Sequence, residues 1–98
     1  MEFSIDKVTG IGEFDGEDTA SGMSYLVPNG KVFCLVRPNT IEVRTDANLK
    51  KVLMEKYETV MESRYFGRGG SEIVPSGQIG EEEIYDIVRL SYNLSLEG

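Results

Sequence analysis

Histidine and tryptophan are absent from this sequence, and there is one cysteine. Without histidine, one chain cannot build a Ser-His-Asp triad or a zinc site that uses imidazole. A single cysteine excludes an internal disulfide and an iron–sulfur cluster. Cys34 lies in an apolar segment with no histidine to activate its thiol, so we expect a small buried hydrophobe there. These absences predict a protein that is not an enzyme and holds no metal or cofactor.

Long hydrophobic runs are also missing. No apolar segment approaches the roughly 20 residues that a membrane helix needs. The charged N-terminal residues precede no hydrophobic stretch of the kind found in signal peptides. The 98 residues suit one domain with a single small core. We therefore expect a cytoplasmic protein that does not bind membranes.

Positive charge is scarce, because 17 acidic residues outnumber 10 basic ones and leave a net charge of −7. Residues 1–21 hold six of the acids and only one lysine. We interpret this part as an acidic lead-in, with an edge strand over residues 3–11 and a loop over residues 13–21. An acidic chain is repelled by phosphate backbones, which disfavours nucleic acid as a partner.

Residues 22–98 form the predicted domain, and its first part alternates strand and turn signals. Strands are predicted at residues 23–27, 31–37 and 40–45. Asn29-Gly30 should form a type I′ turn, since both residues tolerate positive φ. Pro38-Asn39 should form the second turn, with Asn39 at positive φ. In the third strand Ile41 and Val43 face the core, whereas Glu42 and Arg44 face out.

The second part alternates between helix and strand. Asp46 is a good N-cap for a helix that runs to about Tyr57, with Leu49, Val52, Leu53 and Tyr57 on its inner face. Met23, Met54 and Met61 are interpreted as core residues. Strands follow at residues 61–66 and 71–74, separated by a flexible glycine turn at residues 67–70, and Glu81 opens the last helix. This order predicts a two-layer α+β fold, with an antiparallel sheet of about five strands and both helices on one face.

Several short motifs in this order resemble a known family. They are Gly22-Met23, Asn29-Gly30-Lys31-Val32-Phe33, Ile41-Glu42-Val43-Arg44, Phe66-Gly67-Arg68, Ile73-Val74-Pro75 and Tyr92 in the final helix. Over about residues 22–95 the chain resembles the TfoX N-terminal domain family and the related YjbR-like proteins. The resemblance implies a small antiparallel α+β domain, no catalytic residues, and a regulatory role or DNA binding.

The lead-in departs from that family, whose members usually have an N-terminal helix before the first strand. A missing helix would leave part of the sheet uncovered, and a second copy of the chain could cover it. The favoured prediction is therefore a non-enzymatic domain that acts through protein–protein contacts, as a homodimer or with another protein.

The alternative prediction is a nucleic-acid-binding module built on a basic and aromatic patch. Its candidate binding residues are Arg64, Tyr65, Phe66, Arg68, Lys50 and Lys51. Arg68 lies among glycines whose amides could face an anion. Two aromatic residues stand between the arginines, as in proteins that stack single-stranded bases. The same residues also fit a solvated helix face, a loop arginine and two core aromatics.

Overall fold

A computed structural model describes residues 3–97 of the chain. Met1 and Glu2, which begin the predicted lead-in, and Gly98, which ends the predicted domain, lie outside the described residues. The elements in chain order are a 3-10 helix at Ile5–Lys7, β1 at Asp15–Thr19, β2 at Gly22–Leu26, β3 at Val32–Val36, β4 at Ile41–Arg44, α1 at Ala47–Lys56, β5 at Val60–Ser63, β6 at Gly67–Ile73 and α2 at Glu81–Leu96.

The strands form one six-stranded sheet in the order β1-β2-β3-β4-β6-β5, and every neighbouring pair is antiparallel. Helix α2 packs on β3 and β4, and α1 packs on β5 and β6. Leu53 of α1 and Ile84 of α2 share one buried cluster with Val43 and Ile73 of the sheet. The predicted α+β fold with two helices is confirmed, with six strands rather than about five.

The additional strand comes from the acidic lead-in, where the prediction of a loop over residues 13–21 was wrong. All five residues of β1 are exposed, so no buried face produces an alternating pattern in the sequence. Backbone pairing with β2 is what makes the segment a strand. The edge strand predicted over residues 3–11 was also wrong, because a 3-10 helix lies there and buries Ile5 in the core.

The rest of the lead-in is tied to α2. Arg89 Nε donates to Thr9 O at 2.6 Å, and Tyr92 Oη donates to Glu13 O at 2.8 Å. Phe14 packs edge-on against Phe33 of β3, with ring centroids 6.0 Å apart. Residues 9–14 therefore pack against α2 and β3.

The two hairpin turns differ from the predicted geometry. Within residues 3–97 no residue other than glycine has positive φ, so Asn29 and Asn39 do not. Proline fixes a negative φ at Pro28, and Gly30, at φ 93°, donates to Val27 O at 2.9 Å. This is the three-residue hairpin loop that closes a type I turn with one left-handed glycine. The side chain of Asn29 instead donates to Ser95 O in α2 at 3.1 Å.

Helix α1 begins as predicted, since the Asp46 carboxylate accepts from Leu49 N at 2.7 Å. The following hairpin differs, because β5 ends at Ser63 and residues 64–66 form the turn. The glycines at residues 67–70 are not a flexible turn but the start of β6. A Cβ on Gly70 would lie 2.5 Å from Val43 O and 2.6 Å from Phe66 Cβ, so glycine lets Phe66 fold back over the strand.

Helix α2 approaches the sheet closely through a small side chain, Ser91. The β2–β3 register shifts beside Tyr25, and the β3–β4 pairing ends at Cys34 and Val43. Ser91 Oγ donates to Phe33 O at 2.5 Å and accepts from Arg44 N at 2.7 Å. One buried hydroxyl thus satisfies two backbone groups for which the strand ladder supplies no partner.

Candidate functional site

The six predicted binding residues do not form one patch. Lys50 and Lys51 lie on α1, and Arg68 lies at the start of β6 beside them. Arg64, Tyr65 and Phe66 form the β5–β6 turn, which folds over the sheet face opposite the helices. Residues 64–68 are close in sequence, but the hairpin places residues 64–66 on one surface and Arg68 on another.

Arg64 is held by a buried carboxylate. Its Nε and Nη2 donate to the two oxygens of Glu72 at 3.0 and 2.7 Å, and Thr40 Oγ1 donates to the same carboxylate at 2.9 Å. The Glu72 side chain is 3% exposed and that of Arg64 is 63% exposed. The Arg64 guanidinium, which the nucleic-acid hypothesis assigns to a phosphate, is therefore already paired with the Glu72 carboxylate in a bidentate ion pair.

Glu42 stands directly opposite Glu72 in the β4–β6 pairing. The prediction that its side chain faces out was wrong, because Glu42 is completely buried on the sheet face opposite the helices. It accepts hydrogen bonds from Ser63 Oγ at 2.7 Å, from Tyr65 N at 2.8 Å and from Arg37 Nε. Two adjacent acids on one sheet face are therefore each matched by an arginine and by further donors.

The pKa values follow from these partners. Burial raises the pKa of Glu42, but the hydrogen bonds from Ser63, Tyr65 and Arg37 outweigh it, so the net shift is downward. For Glu72 the hydrogen bonds from Arg64 dominate and lower the pKa. Both carboxylates are ionised at neutral pH, so neither carries a proton to donate.

We expect the free energy of unfolding to fall as the solution is acidified. Because the folded-state pKa values of Glu42 and Glu72 are lowered, the unfolded chain takes up protons first. The stability linked to these acids is complete above the unfolded carboxyl pKa of about 4.3 and is lost as pH falls through the folded pKa. Urea unfolding between neutral and acidic pH measures this loss.

The Glu72→Gln variant is the control, since the amide cannot titrate at that position. Its unfolding free energy should depend less on pH below about pH 4.3 than that of the unchanged protein. Identical pH profiles for the two proteins would contradict the assignment to Glu72.

Long side chains cover the sheet above these acids. Arg44 lies over the Phe66 ring, 4.8 Å from its centroid, and Tyr65 meets the same ring edge-on at 4.8 Å. Together with Arg37 and Arg64 these residues form what we call the arginine–aromatic layer. Leu35 lies on the same sheet face as the acids and is also buried. The part of the second sheet face above Glu42 and Glu72 is therefore covered by side chains.

A second surface runs along α1. Lys50 Nζ donates to Glu62 on β5 at 2.7 Å and to two carbonyls at the start of β6, each at 3.4 Å. Beside it lies an open groove of about 490 Å³. The groove is lined by Ala47, Lys50, Lys51, Met54, Glu55 and Arg68. It combines an apolar floor with charges of both signs.

Near β5, apolar side chains are exposed on both sides of the sheet. Four of the six large exposed apolar residues within residues 3–97 belong to α1, β5 and the β5–β6 turn, namely Val52, Met54, Met61 and Tyr65. The predictions that Val52 lies on the inner face of α1 and that Met54 and Met61 are core residues were wrong. The buried stripe of α1 is narrow, with Leu53 alone fully buried.

Other kinds of site find little support in the described part of the chain. A half-open cleft of about 430 Å³ lies between the β3–β4 turn and the loop after β6. Within residues 3–97 no three metal-ligating side chains come together, and no helix is long and apolar enough to span a membrane.

No family model matches the chain, and neither a curated protein nor a solved structure does.

Proposed function

We propose that the protein is a non-enzymatic interaction domain that works as a homodimer, with the regulatory role that a TfoX-like or YjbR-like resemblance implies. The observation that carries the proposal is the exposed apolar side chains of α1, β5 and the β5–β6 turn. Exposed apolar surface next to an open strand edge is typical of a protein interface.

Charge favours protein over nucleic acid as the partner. Arg64 is committed to Glu72 and Lys50 to Glu62, which leaves Arg68 and Lys51 as the cations of the predicted patch for which residues 3–97 supply no ion pair. The chain as a whole carries a net charge of −7. Two cations on an acidic body provide little of the phosphate attraction that non-specific nucleic-acid binding requires.

The size of the surface is compatible with a dimer. A standard interface buries about 800 Å² on each partner, which is about a seventh of the 5516 Å² that the chain exposes. One flank of a molecule with extents of 32 × 27 × 26 Å can supply that area.

Replacing Met61 with aspartate is expected to weaken the dimer at least about tenfold, equivalent to about 1.4 kcal/mol, because the charge would be buried in an apolar contact. Light scattering coupled to size-exclusion chromatography measures the mass at micromolar concentration. The matched control is Leu90→Asp on the outer surface of α2, since Leu90 is 47% exposed and Met61 is 46% exposed.

The control should keep the mass of the unchanged protein. A monomer for the unchanged protein, or equal masses for the two variants, would overturn the proposal. Binding of the unchanged protein to single-stranded DNA at low salt, abolished by Arg68→Ala, would favour the nucleic-acid hypothesis instead.

A further inference from the structure

The sheet has two open edges, and their chemistry differs. The edge strand β1 is exposed along its whole length and presents Asp15, Glu17 and Asp18. Acidic edge strands oppose pairing with another strand, most strongly with a copy of themselves. The other edge strand, β5, has Met61 at its centre, and its one acid, Glu62, is already paired with Lys50.

The side chains of β5 alternate between the two faces of the sheet. Val60 lies in the core on the helix face, and Glu62 reaches Lys50 of α1 on that same face. Met61 points to the opposite face, where its register partner is Glu72. Directly opposed residues of an antiparallel pair point to the same face of the sheet. If a second chain pairs through its own β5 and the helices of both chains lie on one side of the joined sheet, only certain registers satisfy this rule.

Symmetry then limits the register to a few choices. A twofold axis perpendicular to the sheet must pass midway between the two copies of a single β5 residue, so that this residue lies opposite itself. If the axis passed level with the bond between two successive residues, each residue would lie opposite one that points to the other face of the sheet. An axis at Glu62 would place two like charges opposite each other, which is destabilising. An axis at Met61 places two exposed apolar side chains together and sets Val60 opposite Glu62 of the second copy.

The same axis aligns the two α1 helices antiparallel, since each lies over β5 and β6 of its own chain. The flank of α1 that lines the groove carries Met54 together with Lys51 and Glu55. A flank with both signs of charge can match an antiparallel copy of itself, lysine to glutamate, around an apolar centre.

We propose that two copies join through antiparallel pairing of β5 with β5, with Met61 on the twofold axis and the α1 helices side by side, so that both sheets form one continuous sheet. This inference rests on the proposed homodimer and specifies how it is built. The acidic β1 strands then lie at the two outer edges, where they block further addition of chains.

A cysteine at position 61 tests the geometry. Antiparallel partners have Cα atoms about 4.5–5.5 Å apart, within the range that a disulfide needs. Cys34 does not compete, because it is completely buried and burial raises its pKa to about 12. Met61→Cys should therefore give a disulfide-linked dimer on mild oxidation, measured by non-reducing electrophoresis.

Two controls make the test specific. In Glu62→Cys the two thiols would sit on diagonal positions with Cα atoms about 8 Å apart, so linkage should be about tenfold slower or absent. Glu17→Cys, on the opposite edge of the sheet, should remain unlinked.

The outcomes separate this inference from the proposed function. Fast linkage at position 61 alone supports β5 pairing. A protein that keeps the dimer mass but links fastest through position 17, or equally at positions 61 and 62, overturns the pairing and leaves the homodimer standing. A monomeric unchanged protein overturns the homodimer itself.

Discussion

Replacement of Glu42 by alanine is expected to lower the free energy of unfolding by about 3–5 kcal/mol, the usual cost of breaking a buried ion pair by removing one partner. The carboxylate is completely buried and accepts from Arg37, from Ser63 Oγ and from the Tyr65 amide. Alanine leaves all three donors without that acceptor. Relief of repulsion with Glu72 offsets little of this, because each acid already has its own arginine.

Urea unfolding at neutral pH measures the loss, which is about a third to a half of the total if the domain has a stability of about 10 kcal/mol. The matched control is Asp86→Ala, which removes an ion pair with Arg89 whose acid is 70% exposed. That change should cost less than about 1 kcal/mol. Equal effects for the two variants would show that the arginine–aromatic layer does not hold the sheet face together.

Replacement of Gly22 by alanine is expected to cost about 3 kcal/mol, from backbone strain and steric overlap together. Gly22 begins β2 with φ at 145°, a region that side chains disfavour. A Cβ there would lie 2.0 Å from Val36 O, and a backbone atom of β3 cannot move aside as a flexible side chain would. We expect the β2–β3 pairing to open at this end, with a lower midpoint in thermal and urea unfolding.

Gly30→Ala separates the two contributions. Gly30 also has positive φ, at 93°, but nothing lies within 4 Å of the position of an added Cβ. Strain alone should cost about 1–2 kcal/mol. If Gly22→Ala were no worse than Gly30→Ala, the close approach to Val36 would have no energetic weight.

Sequence patterns predicted the parts of the fold that bury apolar residues. The core strands β3 and β4 alternate or run apolar, and Asp46 shows the cap of α1 directly. Strand β1 could not be found in this way, because all its residues face solvent and only backbone pairing with β2 defines it. The hairpin after Pro28 was placed correctly, but its turn type was wrong because the proline restricts φ at the first turn position.

The candidate site was less predictable, since it depends on contacts distant in sequence. Arg64 meets Glu72 across a hairpin, and Glu42 meets Ser63 across the sheet. The local sequence pattern alone makes Arg64 a candidate phosphate ligand and Glu42 a solvated acid. The exposure of Met54 and Met61 depends on how narrow a face α1 and β5 bury, which is a property of the assembled sheet.

The position of α2 has a consequence for synthesis of the chain. This helix covers β3 and β4, satisfies their free backbone groups through Ser91, and anchors the lead-in through Arg89 and Tyr92. During translation all six strands are made before α2, the helix that covers β3 and β4. Until α2 is synthesised, Phe33 and Val43 lack the helix that buries them, so the core cannot be completed while the strands are being made.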